Sequence, residues 1–330
     1  MKLDSFYQLM DELTLSKTPY LFLIDFESQS PFIIPLSELM SGEAFIRFHF
    51  PTENNDSFFS SSTKNTIQNN CIEPHFSSFA DYSDKLKLTK ELFVKYGVDV
   101  INLTQPTAVK LANSLDEIYE QASSKYKVCL KDHFISFSPE TFLQINEEGI
   151  ISCFPMKGTI DASIPNSREL VLDNKKEEEE HRATVNSIIS ELELVSDEVR
   201  ISRYRYIDKL STSNKSLLQV SSEIKGELKK KYKSSYGELF SKLLPAGSIV
   251  GAPKQKALRI ISQVEGYTRG FYTGICGVYN GKTLDSCVLI RFIEQTPNGF
   301  VYKSGGGVTL SSDALTEFNE IKDKIYVPVD

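Results

Sequence analysis

The sequence lacks the paired cysteines that a disulfide framework or a structural zinc site needs. Its five cysteines, at positions 71, 129, 153, 276 and 287, form no C-x-x-C pair, and an odd, scattered set fits a reducing compartment. An excess of positive charge is missing too: 37 Lys and Arg stand against 44 Asp and Glu, a net charge of −7. Nucleic-acid binding draws its affinity from cations that neutralise phosphates, so no nucleic-acid partner is expected. The one basic run, Lys229, Lys230, Lys231 and Lys233, reads as a local solvated face. No long apolar stretch occurs and an acid enters at Asp4, so neither a signal peptide nor a membrane span is expected, and the expected location is the cytoplasm. Nor is there a nucleotide P-loop: the glycines of residues 245–254 (PAGSIVGAPK) have the wrong spacing for one.

What is present is a mixed pattern of strands and helices. Residues 19–26 and 31–36 are β-rich runs separated by a polar turn, and residues 52–70, dominated by Ser, Thr and Asn, read as a surface loop. The spacing predicts a helix over 83–96 with Gly97 as its stop, then strands at 98–104, 128–137, 141–146 and 150–154. Helices at 175–194, 254–265 and 313–325 alternate with strands at 274–279, 286–294 and 300–303. The expected division is a strand-rich segment, 1–80, integrated with the core, and a catalytic domain, 81–330.

Three features carry chemistry. Glu177 and Glu180 share one helix face beside an apolar stripe, and Glu317, Glu320 and Lys324 repeat that arrangement near the C-terminus. Two such acidic edges facing each other would accept Mg²⁺, which takes one or two carboxylates and completes its shell with water and substrate oxygens; ordinary solvated helix acids are the alternative. Residues 245–254 lead into a helix whose first N–H groups attract an anion, and Gly305, Gly306 and Gly307 mark either a second close backbone approach or a plain turn. Arg291 sits in an apolar run, CVLIRFI, where it needs either a structural salt bridge or a ligand carboxylate. Together they point to a small polyanionic ligand bearing carboxylates.

Seven ordered segments, among them Ser138-Pro139-Glu140, Pro155-Met156-Lys157-Gly158-Thr159, the Lys176 to His181 acids, PAGSIVGAPK, Arg269 to Gly274 (RGFYTG), Cys287 to Arg291 and Gly305 to Glu320, resemble the chorismate-utilising enzymes. That family includes anthranilate, aminodeoxychorismate, isochorismate and salicylate synthases. The resemblance runs from about Val98 to the end and implies an α+β fold of two large antiparallel sheets packed across each other, with helices outside. It places Mg²⁺ on Glu180 and Glu320 with Glu177 and Glu317 in support. It assigns substrate binding to Gly158, Thr159, Ser248, Tyr272, Arg291, Gly306, Gly307 and Lys324, with Tyr272 and Arg291 on the enolpyruvyl carboxylate. Glu140 matches the acid that protonates the departing C4 hydroxyl.

Lys157 discriminates among family members. Those that aminate C4 resemble this sequence in having lysine there, to add at C2 before ammonia enters; anthranilate and isochorismate synthases have alanine. Water-adding relatives carry a basic lysine at a position matched here by Val100. The resemblance therefore implies amination of chorismate, with anthranilate or isochorismate formation, or non-catalytic chorismate binding, as the alternatives. Departures are visible. Gln219 replaces the family histidine and still offers a hydrogen bond. The usual Arg-Asn-Asp-Leu appears as Ile189-Ser190-Glu191-Leu192. No Cys-His-Glu glutaminase signature is present, so the implied ammonia comes from glutamine through a separate amidotransferase chain. The N-terminal part is shorter than in feedback-regulated relatives, and no tryptophan site is expected.

Overall fold

Residues 20–24 (YLFLI) are apolar at every position, which suits a strand covered on both faces. In the computed structural model, which describes residues 1–39, 45–58, 72–211 and 216–328, this segment lies within a nine-stranded sheet. Tyr20, Phe22 and Ile24 point into one apolar cluster and Leu21 and Leu23 into another, as a period of two dictates. The neighbouring strand Ile275–Tyr279 divides in the same way.

The first sheet runs in the order Met156–Asp161, Ser216–Leu228, Ile150–Cys153, Thr141–Ile145, Leu284–Val288, Ile275–Tyr279, Tyr20–Ile24, Phe32–Pro35, with Ser196–Ser211 also paired to Ser216–Leu228. The second runs Gly251–Ala252, Val100–Leu111, Gly299–Thr309, Phe292–Thr296, Phe134–Ser138, Tyr126–Leu130, Ile46–His49, with Ile72–His75 on Val100–Leu111. Leu21, Leu23, Cys276 and Val278 from the first sheet share a core with Phe48, Tyr126, Val128 and Phe134 from the second. Helices cover the outer faces: Leu3–Leu15, Lys175–Val195 and Tyr236–Leu243 pack on the first sheet, and Phe79–Tyr96, Lys254–Val264 and Ala314–Asp323 on the second. This is the two-sheet α+β architecture expected.

The helix over 83–96 begins earlier, at Phe79, where Ser78 accepts a hydrogen bond from the Asp81 N–H, and it ends at Gly97 in a left-handed conformation (φ 63). Two expectations need correction. The run at 128–137 is a hairpin of two strands that turns at Asp132, φ 60, and the glycines 305–307 lie inside the strand Gly299–Thr309. The helix Leu3–Leu15 is absent from the sequence reading because its first residues carry no capping side chain. Its Asp11 instead accepts the Gly237 N–H (2.7 Å) of a helix far along the chain. The segment 1–80 thus opens with a helix, and its strands pair with Ile275–Tyr279, Tyr126–Leu130 and Val100–Leu111. A strand, Ile46–His49, precedes the loop expected at 52–70. Of that loop, residues 59–70 lie outside the described residues, as does Cys71; the other four cysteines are buried and unpaired. Lys231 and Lys233 pair locally with Glu238 and Glu227, as a solvated face should. Among the described residues no helix is long and apolar enough to cross a membrane.

Candidate functional site

Two neighbouring chain segments pass from one sheet to the other, and each places a functional side chain at the crossing. Phe134–Ser138 belongs to the second sheet and Thr141–Ile145 to the first, with Pro139 and Glu140 between them. The antiparallel partner leaves the first sheet at Val288 and joins the second at Phe292. The expected single strand at 286–294 is therefore two, and Arg291 sits at the break with φ 52, an uncommon value for a non-glycine residue. Backbone bonds from Val288 N–H to Glu140 O and from Phe137 N–H to Arg291 O, both 3.1 Å, tie the crossings together.

Above these crossings opens a cavity of about 510 Å³. Every residue assigned to the site by sequence lines it except Glu317. Lys157, Gly158 and Thr159 come from Met156–Asp161, where a register shift between Met156↔Ser221 and Thr159↔Gln219 bulges the strand. Gly158 takes φ 85 at that bulge, a conformation that favours glycine. Gln219 lies opposite Thr159, and its buried Oε1 has no hydrogen-bond partner among the described residues. Glu177 and Glu180 come from the helix Lys175–Val195.

The other wall is the strand Gly299–Thr309 with the helix Ala314–Asp323. A Cβ on Gly306 would lie 3.3 Å from Glu320 Oε1, and one on Gly307 would lie 3.5 Å from Lys157 Nζ and 3.8 Å from Glu180 Oε2. The glycines thus let bare backbone face the charged groups from within a strand. Lys324 donates to Gly305 O (2.8 Å) and Glu320 Oε1 (2.6 Å). Arg291 donates to Lys324 O (3.0 Å), stands 4.7 Å from the Tyr326 ring, and makes no ion pair with a carboxylate among the described residues. Its alternatives are thereby narrowed, because the structural salt bridge is not what holds it. Glu317 is buried one turn below Glu320, facing Tyr82.

Among the described residues four cationic and five acidic side chains line the cavity, so a ligand there meets both a carboxylate-binding surface and an acidic one. Burial pushes the Glu140 carboxyl above its ordinary value, opposed by the Lys157 and Lys324 charges and a hydrogen bond from Ser248. Lys324 is pushed down by desolvation, with Arg291 and Lys157 adding repulsion and Glu320 opposing. With 32% of its side chain exposed, solvent dampens that effect. His181, between the acidic edge and the sheet, is pushed down to about 4 by burial, then by Arg205 and Lys157, and its Nε2 meets Ser222 Oγ at 2.7 Å. It is a neutral packing group at neutral pH.

The start of Lys254–Val264 does not line the cavity; Ser248, on the short helix Gly247–Val250, does. That corrects the anion-binding helix start expected at 253–254. Sequence reasoning also passed over Asn102, Tyr302, Lys303, Asp323 and Tyr326, which line the cavity. Lys303 is 4% exposed, donates to Arg269 O (2.8 Å) and pairs with Glu294 (2.9 Å). It follows the apolar residues Phe300, Val301 and Tyr302 within its strand, a weaker form of the signal that singled out Arg291. Arg269, 1% exposed, forms a two-point pair with Glu265 and donates to Asn102 O (2.7 Å), bracing the cavity floor. Among the described residues no three His, Cys, Asp or Glu side chains converge into a metal cage. The donor set of Glu180 and Glu320, hard oxygens set beside bare glycine backbone, fits an ion bound by two carboxylates and completed by ligand oxygens.

The two packed antiparallel sheets with helices outside form a fold shared with solved chorismate-utilising enzymes. A solved structure of a 2,3-dihydroxybenzoate-specific isochorismate synthase from Bacillus anthracis superposes with a TM-score of 0.72 at 18% identity, covering 98% of this chain and 87% of that one. The profile of the chorismate binding enzyme family matches residues 52–330, and the chain belongs to that family. A protein of Haemophilus influenzae described as PabA-like is 39% identical over 314 residues, covering 95% of this chain and 93% of its own length. A PabA-like protein of Pasteurella multocida is 36% identical over 329 residues, with full coverage of both chains.

Proposed function

We propose that the cavity binds chorismate and that the chain replaces its C4 hydroxyl with an amino group, forming 4-amino-4-deoxychorismate for para-aminobenzoate and folate synthesis. Ammonia reaches it from glutamine through a separate glutamine amidotransferase chain. The observation that carries this reading is Lys157 beside Glu140 in one cavity, with the Val100 Cγ2 methyl rather than a base facing the same glycine, Gly307. Water has no activating lysine there, whereas an amine nucleophile and an acid are both at hand.

In this reading Arg291 and Tyr272 hold the enolpyruvyl carboxylate, the Arg291 guanidinium already oriented by Lys324 O and the Tyr326 ring. Gly306, Gly307, Ser248, Thr159 and Gln219 orient the ring. Glu180 and Glu320 would hold Mg²⁺, with Glu177 at the rim and Glu317 supporting from beneath; bound there, the ion would supply positive charge to a substrate carboxylate. Lys157, having passed its proton to the Glu140 carboxylate, adds at C2 through the freed amine as the C4 hydroxyl leaves with that proton as water. A secondary ammonium on Lys157 results. Ammonia then bonds to C4, the C2–N bond breaks with its electron pair returned to Lys157, and the new ammonium yields a proton to Glu140. Burial keeps Glu140 protonated to higher pH than a free carboxyl, as an acid in this role requires.

The test is to incubate the purified chain with chorismate, ammonium and Mg²⁺ and identify the product by mass spectrometry. Aminodeoxychorismate is expected, and excess EDTA should abolish its formation. Isochorismate or anthranilate as the sole product would overturn the reading, and undiminished turnover in EDTA would remove the metal from it.

A further inference from the structure

The acid proposed for the C4 hydroxyl is held by Ser248, and Ser248 is in turn held from behind. Glu191 lies on the helix Lys175–Val195 with its side chain 16% exposed, and pairs with Lys254 at 3.2 Å. Lys254 also donates to Leu243 O at 2.8 Å, so its ammonium is anchored at both ends of the contact. The Glu191 carboxylate lies against Gly247, whose N–H lowers the carboxyl pKa. A Cβ at position 247 would stand 2.5 Å from Glu191 Oε1, so the contact requires a residue without one. The next residue is Ser248, which lines the main cavity beside Glu140 and whose hydroxyl lowers the pKa of the Glu140 carboxyl. Glu140, Gly247, Ser248 and Glu191 all line one further void, of about 20 Å³, behind the main cavity. That void is otherwise largely apolar, lined by Phe142, Leu143, Ile188 and Leu192 among others, and has room for about one water.

We infer that Glu191 is a positioning residue for Glu140, acting through Gly247 and Ser248 to fix the direction of the Glu140 carboxyl toward the cavity. The inference rests on the reading of Glu140 as the proton donor. The physical argument is one of alternatives. A carboxylate sheltered this far from solvent is costly unless paired and hydrogen-bonded, and Lys254 and the Gly247 N–H offset part of that cost while burial still holds the Glu191 carboxyl above its ordinary value. The donor belongs to the turn that presents Ser248. Without the tether, Ser248 loses its fixed orientation, and small misplacements of a reacting group cost up to about 100-fold in rate.

The test compares Glu191→Gln, Ser248→Ala and the double variant with wild type. Two quantities are read: the rate of chorismate consumption at saturation, and chorismate affinity from direct binding. Glutamine keeps the shape of Glu191 but removes the charge that pairs with Lys254, so the side chain loses its ionic anchor beside Gly247. The expected result for Glu191→Gln is a fall in kcat of about ten-fold or more, with a clearly smaller loss of chorismate affinity. In the Ser248→Ala background, Glu191→Gln should add no further loss, because the two residues act in series. An unchanged kcat, an equal loss of affinity, or additive losses in the double variant would each overturn the inference. Should Glu191→Gln fail to fold, Gly247→Ala breaks the same contact from the other side and should give the same kcat-specific loss. Product identity separates the two claims. If wild type consumes chorismate without making aminodeoxychorismate, the functional reading fails, while the Glu191 effect on consumption still stands or falls by itself. If wild type aminates and Glu191→Gln keeps its kcat, only this inference fails.

Discussion

The two walls of the cavity differ in how their polar groups are satisfied. On the wall built by Gly299–Thr309 and the C-terminal helix, Arg291, Lys324 and Glu320 are bonded to one another or to backbone carbonyls before any ligand arrives. On the wall built by Met156–Asp161 and Ser216–Leu228, Gln219 Oε1 lacks a partner among the described residues, and the facing Glu140 carries a raised pKa. The first arrangement suits holding a fixed anionic shape, since orientation is settled in advance. The second suits groups that change protonation or bonding during a reaction. Binding and chemistry should therefore be separable by mutation.

The largest separation is expected at Lys157. Lys157→Ala should abolish amination while chorismate still binds, and trapping during wild-type turnover should place substrate mass on the peptide containing Lys157. If the variant lost affinity and kept turnover, the two walls would have exchanged roles. Next is Glu140→Gln, expected to lower kcat by about 10²–10⁴, the range for removing a general acid. A carboxyl held above its usual value stays protonated to higher pH, so wild-type turnover should fall as pH rises through that value. The glutamine variant should lack that alkaline limb, and a limb that persists would assign it to another group. Arg291→Lys keeps the charge but loses the two-point fork, and should weaken chorismate binding by roughly ten- to a hundred-fold with kcat little changed. A kcat loss at constant affinity would contradict the binding role of its wall.

The smallest effect lies outside both walls. Asp285 is 4% exposed, with Oδ1 bonded to Tyr126 and Gln144 and Oδ2 without a partner among the described residues. Desolvation raises its pKa, with Gln144, Tyr126 and Lys125 opposing. Its stabilising contribution is thus full below the usual carboxylate value of about 3.9 and is lost as pH rises through the folded value. Asp285→Asn should flatten the fall of Tm over that window, changing stability at neutral pH by no more than about 1 kcal/mol. An unchanged pH slope would mean that another buried acid, Glu140 or Glu191, dominates it.

Much of this was legible in the chain itself, and the rest had identifiable reasons to be hidden. Helices with strong periodicity and a terminal signal, such as Phe79–Tyr96 stopping at Gly97, are visible because the information is local. The helix Leu3–Leu15 is not, because its tie to the rest is Asp11 on a backbone 226 residues away. The strands on either side of Arg291 look like one apolar run, since nothing in the one-dimensional pattern marks a change of sheet. The site residues could be named from motif resemblance, and Arg291 from its apolar neighbours, but Lys303 and Asn102 enter only through the walls they complete. Residue types and their order determined which groups could carry the chemistry: a lysine, an acid, two acidic helix edges and a triglycine. The tertiary structure alone decided that Glu140 and Arg291 meet at paired crossings between sheets, and that Glu191 reaches Gly247. Those contacts join segments distant in sequence, and burial, which sets the protonation of Glu140, exists only once they have formed.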